Sequence, residues 1–150
     1  MRRAILVLAV LAVSGPAAAS ESTDVMAVVA QFLDGFNKGD TKAAVATCAP
    51  QTAIIDEFAP FIWQGSTACA DWASDFDAYA KKNAMTEPVV VTGKPRHVDV
   101  EGDRAYVVVP ADFKFKVKGK PTAEKGSIFT VALQKLPAGW RITGWAWAKH

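Results

Sequence analysis

Asp56 closes a short apolar run, Ala53-Ile54-Ile55, and Phe58, Phe61 and Trp63 follow close behind. A carboxylate held among apolar groups has its pKa raised, and a carboxylate tuned upward can serve as a general base. Asp56 is therefore the candidate catalytic residue, although Asp56-Glu57 also fits an ordinary pair of loop carboxylates. Other chemistries lack their parts. His97 lies near Arg96 and Asp99, His150 is terminal, and neither has carboxylates at ligand spacing, so no metal site is expected. There is no Gly-rich phosphate loop, no G-x-S-x-G elbow and no Ser-His-Asp set, and no cofactor is expected. Cys48 and Cys69 have neither a CxxC partner nor a nearby His, which argues against metal binding and thiol catalysis.

The second resource is aromatic. Phe58, Trp63, Trp72, Tyr106, Trp145 and Trp147 are candidates to line a site for a small apolar or aromatic molecule, and equally candidates to fill a core. Strict alternation along the last strand puts Trp145 and Trp147 on one face and Trp140, Ile142 and Ala146 on the other. Large rings on both faces point to an aromatic pocket or to a packing partner, including a second copy of the chain docked through the sheet. Lys114, Lys116, Lys118 and Lys120 recur at strand spacing and read as solvated edge protection.

The elements that must carry these residues change period near residue 85. Val25, Val28, Val29, Phe32, Leu33 and Phe36 recur at helical spacing after the capping choices Ser22-Thr23-Asp24, and Asn37-Lys38-Gly39 ends that helix. Asp40 caps a second helix through Cys48, which Pro50 stops. Thr52–Ile55 reads as a short strand, and Gly65-Ser66 opens a third helix through Trp72, Phe76 and Tyr79 to Lys81-Lys82-Asn83. Beyond it come strands broken at Gly93 and Pro95, turning at Glu101-Gly102-Asp103, Lys118–Pro121 and Pro137-Ala138-Gly139. Pro110 within Arg104–Val117 demands a bulge or an edge. Three N-terminal helices packed on a strongly curved antiparallel sheet make an α+β domain shaped like a cone, open between sheet and helices.

The ends of the chain alter its composition. Met1-Arg2-Arg3, the apolar run Ala4–Val13 and the small residues Ala17-Ala18-Ala19 have the form of an export signal, 1–19, ahead of a single domain, 20–150. A retained anchor helix is the alternative, but the run is about half of what a bilayer span needs. Without Arg2 and Arg3, the 17 basic residues become 15 and equal the 15 acidic ones. A neutral mature chain gives no electrostatic case for nucleic acid or for stable membrane insertion. Export to a periplasmic or extracellular compartment would let Cys48 and Cys69 pair, with two free thiols as the alternative.

Several strings resemble the nuclear transport factor 2-like superfamily, also called SnoaL-like or ketosteroid-isomerase-like. They are Gln31–Ala43 with its Asn37-Lys38-Gly39-Asp40 helix ending, Thr52–Asp56 followed by Gln64-Gly65 and a helix, and the closing Gly139–Trp145. In steroid isomerases of this superfamily an Asp at the position of Asp56 removes a proton next to a carbonyl. A helix-one Tyr and a protonated late-strand Asp donate to the enolate oxygen. The Tyr position falls on Phe32, which becomes an apolar lining residue, and the late-strand position falls near Ser127 or Ile128. A base without oxyanion donors lacks the electrostatic contribution that is usually largest, so steroid isomerisation is not expected. Tyr106 or a Trp indole is the remaining candidate donor. The reading is an exported SnoaL-like protein that holds a small apolar or aromatic ligand or a partner, with a lyase or isomerase using Asp56 as the alternative.

Overall fold

The computed structural model describes residues 16–150, in the order α1 (Pro16–Lys38), α2 (Thr41–Val45), β1 (Cys48–Ile55), β2 (Ile62–Gly65), α3 (Ala68–Lys82), β3 (Met85–Thr92), β4 (His97–Glu101), β5 (Arg104–Val117), β6 (Lys120–Leu136) and β7 (Gly139–Ala148). The expected export signal, 1–19, lies outside the described residues except for its last four positions, which are the first of α1. No helix of the described residues is long and apolar enough to cross a membrane. The strands form one sheet in the order β2-β1-β7-β6-β5-β3, with β4 also on β5. The α+β cone expected from the pattern is borne out, with one difference: β1 joins β7 in parallel while the other pairs are antiparallel.

The helices cover the concave face. Val25, Val29, Phe32 and Leu33 form the buried stripe of α1, and Ala68, Cys69 and Trp72 that of α3. Asn37 ties the end of α1 to β3 as a backbone strand would, donating to the Val90 carbonyl (2.9 Å) and accepting from its amide (2.7 Å). Gly35 lets α2 lie directly on α1, since a Cβ there would stand 2.6 Å from the Ala44 nitrogen. Asp40 caps α2 as expected, its Oδ1 accepting from the Ala43 amide at 3.0 Å.

The structure differs from the sequence reading at several points, and α1 already runs from Pro16 instead of starting after the expected caps Ser22-Thr23-Asp24. Helix α2 ends at Val45, and Cys48–Pro50 is extended instead, because Ile142 on β7 pairs with Cys48 and its amide donates to the Thr47 carbonyl (2.9 Å). A long-range partner here overrides a local helical pattern. Strand β2 is a short run that only its pairing with β1 reveals, and it delays α3 to Ala68. Pro110 lies inside the sheet, where the neighbour of β5 changes from β4 to β3; Gly93 donates to its carbonyl (2.9 Å), and the irregularity falls next door, between Ala111 and Phe113.

The largest correction concerns β7. Its register against β6 slips between Ala132 and Leu133, leaving Thr143 as a bulge. One extra residue reverses the alternation, so Trp140 and Ile142 before the bulge and Trp145 after it are all buried, at 3%, 0% and 5% exposure. The tryptophans of β7 do not occupy both faces, and the argument for a partner docked on outward-facing tryptophans loses its basis.

Cys48 and Cys69 form a disulfide that ties the start of β1 to the first turn of α3. The two positions are 21 residues apart, a loop whose closure contributes roughly 3 kcal/mol in the chain-entropy account. The double substitution Cys48→Ala/Cys69→Ala should lower stability by about that amount, read from denaturant midpoints without loss of the folded far-ultraviolet spectrum.

Candidate functional site

A cavity opens between α1, α3 and the concave sheet. Helix α1 contributes Phe32, Leu33 and Phe36; the segment after β1 contributes Asp56, Glu57 and Phe58; α3 contributes Trp72, Phe76 and Tyr79. The sheet completes the wall with Val90, Phe113, Phe129, Trp145 and Trp147. Phe32 sits at the inner end of this wall, with ring centroids 5.9 Å from Trp72, 5.9 Å from Phe129 and 5.8 Å from Trp145. Trp72 and Trp145 meet edge to face at 4.9 Å, a geometry that suits the ring quadrupoles. Tyr79, 37% exposed, marks the outer rim.

Of the expected lining residues, Phe32, Phe58, Trp72, Trp145 and Trp147 lie in this wall. Trp63 does not. It packs behind Phe58 at 5.0 Å and donates its indole N–H to Asp75 (2.8 Å), because it lies on β2 rather than on the loop. Tyr106 is 48% exposed on the far side of β5, since its neighbours Ala105 and Val107 are the buried positions of that strand. It cannot serve as a donor inside the cone.

Asp56 stands in the cavity wall. Its Oδ2 accepts from Trp72 Nε1 (2.8 Å) and its Oδ1 from the Glu57 amide (2.7 Å). Burial pushes its pKa above the usual carboxylate range, against the lowering effect of those two bonds, and the charge of Glu124 adds to the rise. At the rim a second group forms that sequence reasoning missed. Lys149 Nζ bridges Glu57 and Glu124, 3.0 Å from each. Glu124 also accepts from Ser127 Oγ (2.8 Å) and Trp147 Nε1 (2.9 Å). Burial raises the pKa of Glu57, aided by Glu124 and opposed by Lys149. Burial would also raise Glu124, but the donors Trp147, Ser127 and Lys149 prevail and hold it below its usual range. Between the two carboxylates the Lys149 amine is pushed up to about 12. No local string announces this group. Its members come from the segment after β1, from β6 and from the chain end.

Of the two residues near which the resemblance put a late-strand Asp, Ile128 carries no polar side chain, and Ser127 is fully buried and donates to Glu124. Glu124 is held ionised, so it has no proton to donate to an enolate. Among the described residues no group of three or more His, Cys, Asp or Glu side chains is placed to hold a metal ion.

The chain matches a known family model over residues 25–146, that of the SnoaL-like domain. The chain belongs to the SnoaL-like family. Solved structures agree on the fold. A protein of unknown function from Mycobacterium tuberculosis superposes with a TM-score of 0.73 at 17% identity, covering 92% of this chain and 78% of its own. An NTF2-like protein with a cystatin-like fold from Novosphingobium aromaticivorans gives 0.71 at 18% identity, covering 89% and 84%. A ketosteroid isomerase-like protein from Erwinia carotovora atroseptica gives 0.68 at 19% identity, covering 86% and 95%. No curated protein matches the sequence.

The raised pKa of Asp56 has a thermodynamic consequence for this SnoaL-like domain. Folded Asp56 keeps its proton to higher pH than it does in the unfolded chain, so folding binds protons across that interval. The contribution therefore favours the fold at low pH and turns into a cost as pH rises through the raised value. Glu57 acts in the same direction and Glu124 in the opposite one. Asp56→Asn should make stability fall less between pH 4 and pH 7 than in the wild type, read from urea midpoints across that range.

Proposed function

We propose that this SnoaL-like protein is exported and holds a small apolar or aromatic molecule in its cone. The observation that carries this reading is the composition of the cavity wall: aromatic and aliphatic side chains throughout, with Asp56 and Glu57 as its carboxylates. A site that is mostly apolar with a few convergent polar groups is the usual form of a small-molecule pocket. The Cys48–Cys69 bond supports the exported location, since such bonds persist in oxidising compartments. Titration with a library of hydrophobic metabolites, followed by tryptophan fluorescence and calorimetry, tests the reading. Phe76→Ala, which opens the wall, should weaken any ligand found by about tenfold or more, whereas Tyr106→Ala on the outer surface should leave affinity unchanged. A flat response across the library would overturn it.

A second reading has one specific observation in its favour. Asp56 stands in the same wall with its pKa raised by burial, the condition for a base that works near neutrality. Relatives of this fold include a ketosteroid isomerase-like protein, which makes proton removal next to a carbonyl the reaction to try. Each ligand found should be incubated in deuterated water with wild type and Asp56→Asn. Exchange that the substitution abolishes while binding persists would establish catalysis, and its absence in the wild type would leave binding alone.

A further inference from the structure

Ten of the fourteen side chains in the cavity wall are aromatic rings, and among the described residues none of the wall is a Lys, Arg or His. The indole donors of this wall are closed to a ligand. Trp72 Nε1 is given to Asp56 (2.8 Å) and Trp147 Nε1 to Glu124 (2.9 Å). Trp145 Nε1 has no acceptor and almost no accessible surface. What the wall side chains leave available is the faces of the rings, the carboxylates of Asp56 and Glu57, and the Tyr79 hydroxyl at the rim.

Acceptors without free donors select a ligand that donates. Asp56 accepts once on each oxygen, from Trp72 and from the Glu57 amide, while an ionised carboxylate offers about four acceptor positions. Among the described residues no basic side chain pairs with it. Its neighbour Glu57 already holds an alkylammonium, Lys149 Nζ, at 3.0 Å. The rings act in the same direction. Phe58, two positions after Asp56, lies 5.9 Å from Phe76 and 5.1 Å from Tyr79, and Trp72 lies 5.8 Å from Phe76. The negative faces of such rings attract a cation within about 6 Å of their centroids. Burial raises the pKa of Asp56 and of Glu57, the cost of charge withdrawn from water, which a nearby cation offsets.

We infer that the cone takes a cationic ligand, a protonated amine carried on an aromatic or aliphatic body. The ammonium group donates to Asp56 and lies against the rings beside it, while the apolar body fills the rest of the wall. This rests on the ligand-binding reading above and adds the ligand's charge. It gives the carboxylates of the wall a role that needs no chemistry on the ligand. A neutral molecule of the same shape would fill the apolar space but leave Asp56 without a counter-charge, and an anion would meet like charge with no free indole donor to receive it.

Three probes on one ring system test it: 2-(aminomethyl)naphthalene, a cation at about pH 7, the neutral 2-(hydroxymethyl)naphthalene, and the anion 2-naphthoate. By calorimetry the amine should bind the wild-type protein about tenfold or more tightly than the alcohol, and the naphthoate should bind weakest. In Asp56→Asn the ratio of amine to alcohol affinity should fall toward one, whereas Asp99→Asn, exposed on β4, should leave the ratio unchanged. Should Asp56→Asn not fold, the wild type decides alone. At about pH 5, titrations in two buffers of different ionisation enthalpy should show protons released on binding the amine and none on binding the alcohol, because a nearby cation favours the ionised carboxylates. Equal affinity for amine and alcohol, a preference that survives in Asp56→Asn, or no proton release with the amine would overturn the cationic ligand and leave the cavity reading standing. Failure of all three probes to bind would count against both.

Discussion

The bulge at Thr143 is the constraint on which the rest of this cone depends. Without it, a strand carrying Trp140, Trp145 and Trp147 would have to send large rings to both sides of the sheet. With it, Trp140 and Ile142 pack toward α1, and Trp145 and Trp147 build the cavity wall from the same face. The bulge also sits beside Gly144, where a Cβ would stand 3.0 Å from the Ala53 carbonyl oxygen. Bare backbone at that point lets β1 lie parallel to β7, and β1 in turn delivers Asp56 to the cavity. One irregularity in the ladder thus sets the inner surface of the sheet and the position of the candidate base.

The pairing of indole donors with carboxylates is the second organising theme. Each such pair satisfies a ring that packing requires to be buried and fixes its orientation, because a buried donor is costly to leave alone. Glu21, holding Trp140 and Lys135, ties the start of α1 to the last two strands, and its pKa is lowered chiefly by Lys135 and then by Trp140. Asp75 serves Trp63 and Asp56 serves Trp72. These carboxylates are therefore structural before they are anything else. Asp56 is doubly engaged, by an indole and by a backbone amide, so using it as a base would draw on a group that also holds Trp72 in place.

Charged groups gather at the mouth of the cavity. Glu57 and Glu124 converge there with Lys149 as the bridging cation. Burial raises the pKa of Asp56 and of Glu57, the response expected of carboxylates withdrawn from water. The chain end takes part directly, since Lys149 spans from the segment after β1 to β6 and closes one side of the rim.

Much of this was legible in the residues themselves. The stripe Val25–Leu33, the cap at Asp40, the Gly and Pro turns and the order of elements determined the fold class, because they depend on local periodicity and backbone preference. The apolar run before Asp56 marked that carboxylate for the same local reason, and Phe32, Phe58, Trp72, Trp145 and Trp147 could be named as rings in search of a place. The sequence by itself could not show which rings share a face, since a single bulge reverses the parity of a strand and is set by the register of its neighbour. Nor could it place Trp63 on a hidden edge strand, turn Tyr106 outward, or extend Cys48 beside Ile142. The rim of Glu57, Glu124 and Lys149, and the unpaired donor of Trp145, were likewise decided only in the tertiary structure. They are relations among residues far apart in the chain, brought within 3 Å or denied a partner by how the sheet curls.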